Sequence, residues 1–395
     1  MSEWKEYKLG ELVALNERSI GRNFKFERIE YIDTSSVTEN KFETPVLTTL
    51  EDAPSRAKRL ISDGDTIIST VRPIQKHYGF IKKAKDYQVV STGFVVVTPK
   101  KIEPRFLYYF LTQVEVTEYL NTIAEGGTTT FPAFKSDELK DLPINLPDLP
   151  TQTAIAEILS SLDDKIELNN KINKELENLA QTLFKRWFID FEFPNENGEP
   201  YKSSGGEMVE SELGEIPKGW EVEQLCNLLT VKYGKDHKHL SDGIYPLYGS
   251  GGIMRYVEIP LFKQNSILIP RKGTLSNLFY LEEPFWSVDT MFYTEIHNPI
   301  YGRYLFHCIK ALDIASMNVG SAVPSMTTKV LNELKVLKPN NLLMQEFDNV
   351  LGAFYNSINQ NKNEIKDLTN LRDTLLPKLI SGELEVADVT ADNKI

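Results

Sequence analysis

Two long stretches of the chain carry apolar residues in alternating steps of four and three. The first stretch contains Ile155, Leu159, Leu162, Ile166, Asn169, Asn173, Leu176, Leu179, Leu183 and Trp187. The second contains Phe347, Leu351, Phe354, Ile358, Asn361, Ile365, Leu368, Leu371, Leu375 and Leu379. This spacing is typical of the contact seam of a coiled coil. Each stretch therefore predicts a helix of about 35 residues, which is roughly 50 Å long.

The two stretches are copies of each other. LENLAQTLFKRWF, residues 176–188, matches LTNLRDTLLPKLI, residues 368–380, at a constant offset of 192. Upstream, ELKDLP resembles ELKVLKP, and WKEYKLGELVAL near the N-terminus resembles WEVEQLCNLLTV in the middle of the chain. The sequence therefore predicts two copies of one plan, in which a globular segment is followed by a long helix.

Asparagine lies near the midpoint of each apolar seam. In an antiparallel helix pair related by a pseudo-twofold axis the midpoints meet, so we expect Asn169 or Asn173 to face Asn361. Such a polar pair fixes the register of a coiled coil at some cost in stability. In the alternative arrangement each seam packs on its own globular domain and the asparagines are solvated. We favour the antiparallel coiled coil as a spacer between the two globular segments.

Each globular segment alternates short β-like runs with helical patterns. DTIISTV and SILIP are examples of the former, and PRFLYYFLTQVEVTEYL and GRYLFHCIKAL are examples of the latter. They predict an α+β fold with a mixed or antiparallel sheet, repeated in tandem. The predicted boundaries are a first domain at 1–150, a first long helix at 151–193, a Gly/Pro/Ser-rich linker at 194–217, a second domain at 218–340, a second long helix at 341–386 and a tail at 387–395.

The charge is unevenly distributed along the chain. The net charge of −12 argues against nucleic acid at first sight. However, residues 151–215 carry 6 basic and 14 acidic side chains, and residues 341–395 carry 5 and 9. The acidity therefore lies in the repeated helical parts, and the globular segments are close to neutral. No apolar run is long enough to cross a bilayer and the N-terminus does not resemble a signal peptide, so we expect a cytosolic protein.

The motifs of self-sufficient catalysis are missing from the sequence. There is no phosphate-binding loop, no metal-binding histidine pair, no Gly-x-Ser-x-Gly elbow and no methyltransferase Asn/Asp-Pro-Pro-aromatic tetrapeptide. The glycine cluster YGSGG predicts a turn. Cys226 and Cys308 lack disulfide or zinc spacing and are predicted to be buried thiols, while His297 and His307 are predicted to be structural. We predict no catalytic residue, no metal site and no cofactor bound by this chain.

Cations and polar residues cluster in turn-like stretches of both globular segments. In the first segment these are Arg56, Lys58, Arg59, Arg72, Gln75, Lys76 and His77; in the second they are Lys235, His237, Lys238, Arg271 and Lys272. Such side chains pair with phosphates and with the edges of guanine and adenine in the major groove of DNA. Any one cluster is also compatible with solvated surface. Their recurrence in both halves favours DNA binding.

The chain resembles the specificity subunits of type I restriction-modification systems. The resemblance is carried by LGEL with its preceding Trp, by SRAKRLISDGDTIISTVRP, by LPDLPTQTAIAEILSSLDDKIELNNKINKELENLAQTLFKRWFIDFEF and by LRDTLLPKLISGELEV. It covers nearly the whole chain. One departure is that the second half has LFKQNSILIPRKGT where the first has the SRAKR block, which weakens the choice of DNA-contacting residues there.

The resemblance implies that each globular segment is a target recognition domain that reads one half of a bipartite double-stranded DNA site. The long helices would form the spacer and dock two methyltransferase subunits, which bring S-adenosylmethionine. Motor-nuclease subunits would add ATP- and Mg-dependent cleavage. The spacer contacts are assigned to Leu162, Ile166, Asn169, Leu176, Leu183, Phe354, Ile358, Asn361, Leu368 and Leu375. A protein-binding scaffold and a self-sufficient nuclease or methyltransferase are the alternatives.

Overall fold

The computed structural model describes residues 4–126, 132–312 and 325–392. The chain divides into two compact units. Unit 1 consists of Met1–Asn169 together with Asn363–Ile395, and unit 2 consists of Asn170–Lys362. Each unit therefore contains one globular segment and part of both long helices. This division differs from the predicted sequential order of domain, helix, linker, domain and helix, because each long helix contributes to two cores.

The first half of the chain supplies twelve strands and three α-helices within the described residues. The strands are β1 (Lys5–Lys8), β2 (Val13–Leu15), β3 (Arg28–Ile32), β4 (Val37–Thr38), β5 (Lys41–Phe42), β6 (Val46–Thr49), β7 (Ala57–Leu60), β8 (Thr66–Ser69), β9 (Tyr78–Phe80), β10 (Gln88–Ser91), β11 (Phe94–Pro99) and β12 (Pro143–Leu146). The helices are α1 (Pro104–Leu111), α2 (Val114–Glu125) and α3 (Leu149–Phe188).

Unit 1 is built on two four-stranded sheets. The order of the first is β2-β11-β8-β9, and the order of the second is β6-β3-β10-β7, in which β3 and β10 are parallel. Residues alternate between the faces of β8, so Ile68 packs in the core with α1 and the start of α3, while Ile67 packs towards the second sheet. The predicted mixed or antiparallel sheet is confirmed, since the first sheet is antiparallel and the second is mixed.

The second half supplies the remaining elements. The strands are β13 (Met208–Ser211), β14 (Gly214–Pro217), β15 (Glu221–Gln224), β16 (Leu229–Tyr233), β17 (Asp242–Gly249), β18 (Gly252–Val257), β19 (Ser266–Pro270), β20 (Phe279–Leu281), β21 (Trp286–Ser287), β22 (Met291–Ile296) and β23 (Lys335–Lys338). The helices are α4 (Gly302–Ala311), α5 (Thr328–Glu333), α6 (Asn341–Ser381) and α7 (Val386–Asp392).

Unit 2 repeats the topology of unit 1. Its four-stranded sheet has the order β16-β22-β19-β20, which corresponds strand by strand to β2-β11-β8-β9. Its second sheet, β18-β17-β21, again contains a parallel pair, and β15 pairs with β23 as β1 pairs with β12. The predicted internal repeat is confirmed at the level of strand order.

The long helices α3 and α6 run antiparallel, as predicted. Within unit 1, Asn169 Nδ2 donates a hydrogen bond to Glu364 Oε2 at 2.8 Å, and Arg372 Nη1 donates to Asp163 at 2.8 Å. Within unit 2, Asn361 Nδ2 donates to Asn173 Oδ1 at 2.9 Å. The prediction that an asparagine of the first helix meets Asn361 is confirmed, and Asn173 is that residue.

All ten predicted spacer residues are buried or half-buried. Ile358 and Asn169 are buried, and the others are half-buried: Leu162, Ile166, Leu176, Leu183, Phe354, Asn361, Leu368 and Leu375. The apolar seams predicted from the sequence also included Leu179 and Leu371, and this part of the prediction was wrong. Leu179 is 52% exposed and Leu371 is 47% exposed. Ala180 takes the interior position next to Leu179. The reason is that 3.6 residues per turn drift away from a strict 3.5-residue repeat.

Several predicted boundaries need correction. The first long helix ends at Phe188 rather than at 193, and Phe191 just beyond it has a left-handed φ of 61°. The second ends at Ser381 rather than at 386, before Gly382 with φ 77°. Part of the predicted tail forms α7, and residues 393–395 lie outside the described residues.

The predicted linker contains ordered structure. It includes the β13–β14 hairpin, and just before it Phe193 stacks on Trp220 with ring centroids 5.2 Å apart. Aromatic side chains thus anchor a segment whose Gly, Pro and Ser content suggested a plain connector. Cys226 and Cys308 are free, and each residue is half-buried. Burial raises the pKa of the Cys308 thiol to about 12, so the predicted buried thiol is confirmed for Cys308 and was wrong for Cys226. No helix in the described residues has the length and apolar character needed to span a membrane.

Candidate nucleic-acid interface

In unit 1 the predicted contact loop follows the central strand β8. The strand continues as an isolated bridge between Val71 and Ala133, and the Arg72 amide donates to the Pro132 carbonyl at 2.9 Å. Arg72 has a φ of 48° and precedes Pro73, so the chain turns sharply there. This turn exposes the side chains of Arg72 and Gln75 at the end of the sheet.

The SRAKR stretch reaches the same place through a shared turn. Thr92 N donates to the Arg56 carbonyl at 2.8 Å, and Thr70 N donates to the Gly93 carbonyl at 2.8 Å. Arg56 and the residues that precede Arg72 are therefore attached to adjacent residues of the β10–β11 turn. The Arg56 guanidinium is exposed and forms an ion pair with Asp33 at 2.9 Å. Lys58 is exposed.

Arg59, His77 and Lys76 are held by partners within unit 1. Arg59 points inward and donates to Asn16 Oδ1 and to the Phe94 carbonyl, and burial lowers its pKa. His77 Nδ1 lies 2.7 Å from the Val37 carbonyl oxygen, and Lys76 pairs with Glu39 at 3.0 Å. Arg59 and His77 thus brace the domain, whereas the ion pairs of Arg56 and Lys76 lie at the surface and are weak enough to exchange for a phosphate.

In unit 2 the PRKGT stretch occupies the position equivalent to TVRPI. It follows β19, which corresponds to β8, and Lys272 forms an isolated bridge with Ser325. Met326 N donates to the Arg271 carbonyl at 2.9 Å, just as Phe134 N donates to Thr70 in unit 1 at 3.1 Å. The sequence departure of the second half is therefore local, and the contact loop is present in both copies.

The structure brings the other cationic stretch of unit 2, residues 235–239, next to the PRKGT loop. Lys235 N donates to the Ser287 carbonyl at 2.9 Å, and Arg271 N donates to the Thr290 carbonyl at 2.9 Å, so both loops attach to the β21–β22 connection. The Arg271 guanidinium lies 5.5 Å from the centre of the Tyr233 ring and donates to the Asp289 carbonyl at 3.0 Å. Lys235, Lys238 and Lys272 are exposed around it.

A cavity of about 390 Å³ opens beside Arg271 in unit 2. Its lining includes His237, Ser250, Met254, Asp289 and Thr290. Of these only His237 belonged to the predicted set. The YGSGG stretch forms the tip of the β17–β18 hairpin, which confirms the predicted turn. Asp289 and Thr290 were missed because they lie inside the strand-like run WSVDTMFYTEI, residues 286–296, and carry no cation.

The site offers donors and charges for DNA and no cluster of metal ligands. Across residues 4–126, 132–312 and 325–392, no group of three or more His, Cys, Asp or Glu side chains is arranged to hold a metal ion. His297 and His307 have structural contacts, since His297 hydrogen-bonds with Thr230 and His307 with Tyr355. The exposed groups of both loops are hydrogen-bond donors suited to phosphates and base edges.

The repeated sheet, the antiparallel helices and the cationic loop at the end of the same strand define a two-domain protein that presents one kind of surface twice. The family model of the type I restriction modification DNA specificity domain matches residues 1–178 and 217–369, which is most of the chain. The chain belongs to this family.

Individual relatives agree with this assignment. The chain is 28% identical to the HindI type I restriction enzyme specificity subunit of Haemophilus influenzae, over 97% of this chain and 100% of that one. It is also 28% identical to the MjaIX specificity subunit of Methanocaldococcus jannaschii, over 84% and 80% of the two chains. The S subunit of a type I restriction-modification system from M. genitalium has a similar fold, with a TM-score of 0.58, 19% identity and 96% coverage of both chains.

Proposed function

We propose that this chain is the DNA-sequence-specificity subunit of a type I restriction-modification complex and is not catalytic itself. Each unit reads one half of a bipartite site, and the antiparallel helices set the spacing between the halves. The observation that carries this proposal is the duplicated cationic loop at the end of β8 and of β19. Helices of 40 and 41 residues are about 60 Å long, which suits half-sites separated by more than one turn of DNA.

We further propose that the outer faces of the long helices dock two modification subunits. Leu179 and Leu371 occupy equivalent positions of the repeat, and both are about half exposed. Leu168 and Ile172 lie on α3 eleven and seven residues before Leu179, and they are exposed too. The exposed apolar stripe on α3 marks a protein-binding surface, and the equivalence of Leu179 and Leu371 supports two copies of one partner.

The partners would supply what this chain lacks. The modification subunits bring S-adenosylmethionine and methylate adenine, and motor-nuclease subunits bring ATP- and Mg-dependent cleavage. DNA is the substrate of the whole complex, so we place the chain in the cytoplasm. The chain itself contributes the recognition of sequence and the separation of the two half-sites.

Co-expression with the modification subunits, followed by single-molecule methylation sequencing of host DNA, tests recognition. A bipartite motif with methyladenine in each half is expected. A stable complex that produces no motif would contradict the proposal. In addition, DNA binding by the purified complex should weaken as salt rises, because cations that contact phosphates release counterions.

Docking is tested with Leu179→Asp and Leu371→Asp. Because these side chains are half exposed, each variant should keep the thermal stability of the wild type. Each should also lose one modification subunit, measured as complex mass by light scattering. Leu176 lies on the inner side of α3, so Leu176→Asp is the matched control and should lower the melting temperature. Full complexes from both surface variants would refute this docking surface.

A further inference from the structure

Two acidic side chains lie among the cations of the contact loops of unit 2. The Asp236 carboxylate lies 3.7 Å from His239 Nδ1 and accepts a hydrogen bond from Lys238 N at 3.3 Å, whereas Asp289 is the acid that lines the cavity. Asp289 is exposed and lines the cavity beside Arg271. Its main-chain carbonyl accepts a hydrogen bond from Arg271 Nη1 at 3.0 Å. Within residues 4–126, 132–312 and 325–392, however, the Asp289 carboxylate makes no hydrogen bond or ion pair. The neighbouring loops contribute Lys235 and Lys272, which are also exposed.

A second polar group in the cavity also lacks a partner. His237 lines the same cavity, and its Nδ1 is buried with no hydrogen-bond partner in the described parts of the chain. Buried polar atoms in native proteins are normally satisfied, so His237 Nδ1 is available to water or to a polar group of a ligand that enters the cavity. The cavity of about 390 Å³ is large enough to admit the edge of a base.

The Asp289 carboxylate indicates which part of DNA binds here, because its negative charge opposes phosphate binding. Loops that served only to neutralise phosphates would bind more strongly without a negative charge at their centre. A carboxylate only accepts hydrogen bonds. In the major groove the base groups that donate are the exocyclic amino groups, cytosine N4 and adenine N6. Asp289 is therefore suited to base edges and unsuited to the DNA backbone.

We propose that Asp289 is a specificity-determining residue that accepts a hydrogen bond from an exocyclic amino group in the half-site read by unit 2. This inference rests on the proposed function. Arg271 is the complementary donor beside it. Its guanidinium is held by the Tyr233 ring and by the Asp289 carbonyl, so donor and acceptor are presented to DNA from adjacent points. Together they read the acceptor edge of one base and the amino group of another.

The test uses the full-length chain co-expressed with its modification subunits, with the methylated motif read by sequencing of host DNA. In Asp289→Asn the side-chain amide both donates and accepts, so bases that present a keto oxygen should become acceptable. One position of one half-site should become degenerate, with discrimination reduced roughly 10- to 100-fold. The other half-site should stay unchanged. Degeneracy at a cytosine identifies N4 as the ligand, and degeneracy at an adenine identifies N6.

Controls separate this inference from the function on which it rests. Asp236→Asn removes an equal charge from the nearby 235–239 loop, where the Asp236 carboxylate lies 3.7 Å from His239 Nδ1, and its motif should match the wild type. Asp289→Ala should weaken binding of the complex to the cognate duplex in fluorescence anisotropy without changing its melting temperature. Asp289→Asn and Asp289→Ala complexes that behave like the wild type in these two assays would overturn the role of Asp289 alone. A wild-type complex that yields no motif would overturn the proposed function, and this inference with it.

Discussion

His307 should make unit 2 less stable in mild acid. It lies on α4 and is almost fully buried, with its ring stacked on Phe184 at a centroid distance of 5.7 Å and its Nε2 3.3 Å from the Tyr355 hydroxyl. Burial lowers its pKa from 6.5 to about 3, and Lys310 adds to the effect. The folded chain thus keeps His307 neutral at a pH where the unfolded chain protonates it.

The sign and size of the effect follow from proton linkage. Because the folded-state pKa lies below the unfolded value, the stabilisation is complete well above pH 6.5 and is lost as the pH falls from 6.5 towards 3. At pH 5 the unfolded state gains RT ln(1 + 10^1.5), about 2 kcal/mol, while at pH 7.5 it gains about 0.1 kcal/mol. His307 should therefore account for a loss of about 2 kcal/mol between these two conditions.

The perturbation is His307→Phe, which preserves the ring and removes the titration. It should cost about 1 kcal/mol at pH 7.5, because the Tyr355 hydroxyl loses a partner. Between pH 7.5 and pH 5 it should lose about 2 kcal/mol less stability than the wild type. Urea unfolding followed by tryptophan fluorescence measures this, since Trp187 and Trp220 lie in the core of the same unit.

His297→Gln is the matched control, because His297 is exposed on the same unit. Its pH dependence should follow that of the wild type. Equal losses between pH 7.5 and pH 5 for the wild type and His307→Phe would refute the reasoning.

Two further predictions concern the helix pair and the contact loops. Asn361→Leu should lower the free energy of unfolding by about 1–3 kcal/mol, because it leaves the buried Asn173 amide without its partner. A second substitution, Asn173→Leu, should restore most of this loss. If urea titrations show that the two substitutions destabilise the chain additively, the pairing is contradicted. Arg72→Ala and Arg271→Ala should each weaken recognition of one half-site only, as read by methylation sequencing. A uniform loss at both half-sites would contradict the assignment of one unit to each.

The two long helices could be predicted from the sequence because their apolar periodicity is a local pattern. An apolar residue every three or four positions specifies a helix seam without reference to the rest of the fold. The asparagines interrupt that seam near its middle, which predicted that Asn169 or Asn173 would meet Asn361, and the structure selects Asn173. The orientation of Leu179 was not readable in the same way. Whether it or Ala180 faces inward depends on how the helix phase drifts over many turns.

The contact loops needed the tertiary structure. PRKGT and TVRPI share almost no letters, and their equivalence rests on strand order and on long-range backbone hydrogen bonds. Composition also cannot tell an inward cation from an outward one, so Arg59 and Arg56 looked alike in sequence although one braces the domain and the other is exposed. Asp289 lies 18 positions from Arg271, and only the pairing of β19 with β22 brings them together. Periodicity along the chain specifies helices, whereas a binding surface is assembled from residues that chain folding makes neighbours.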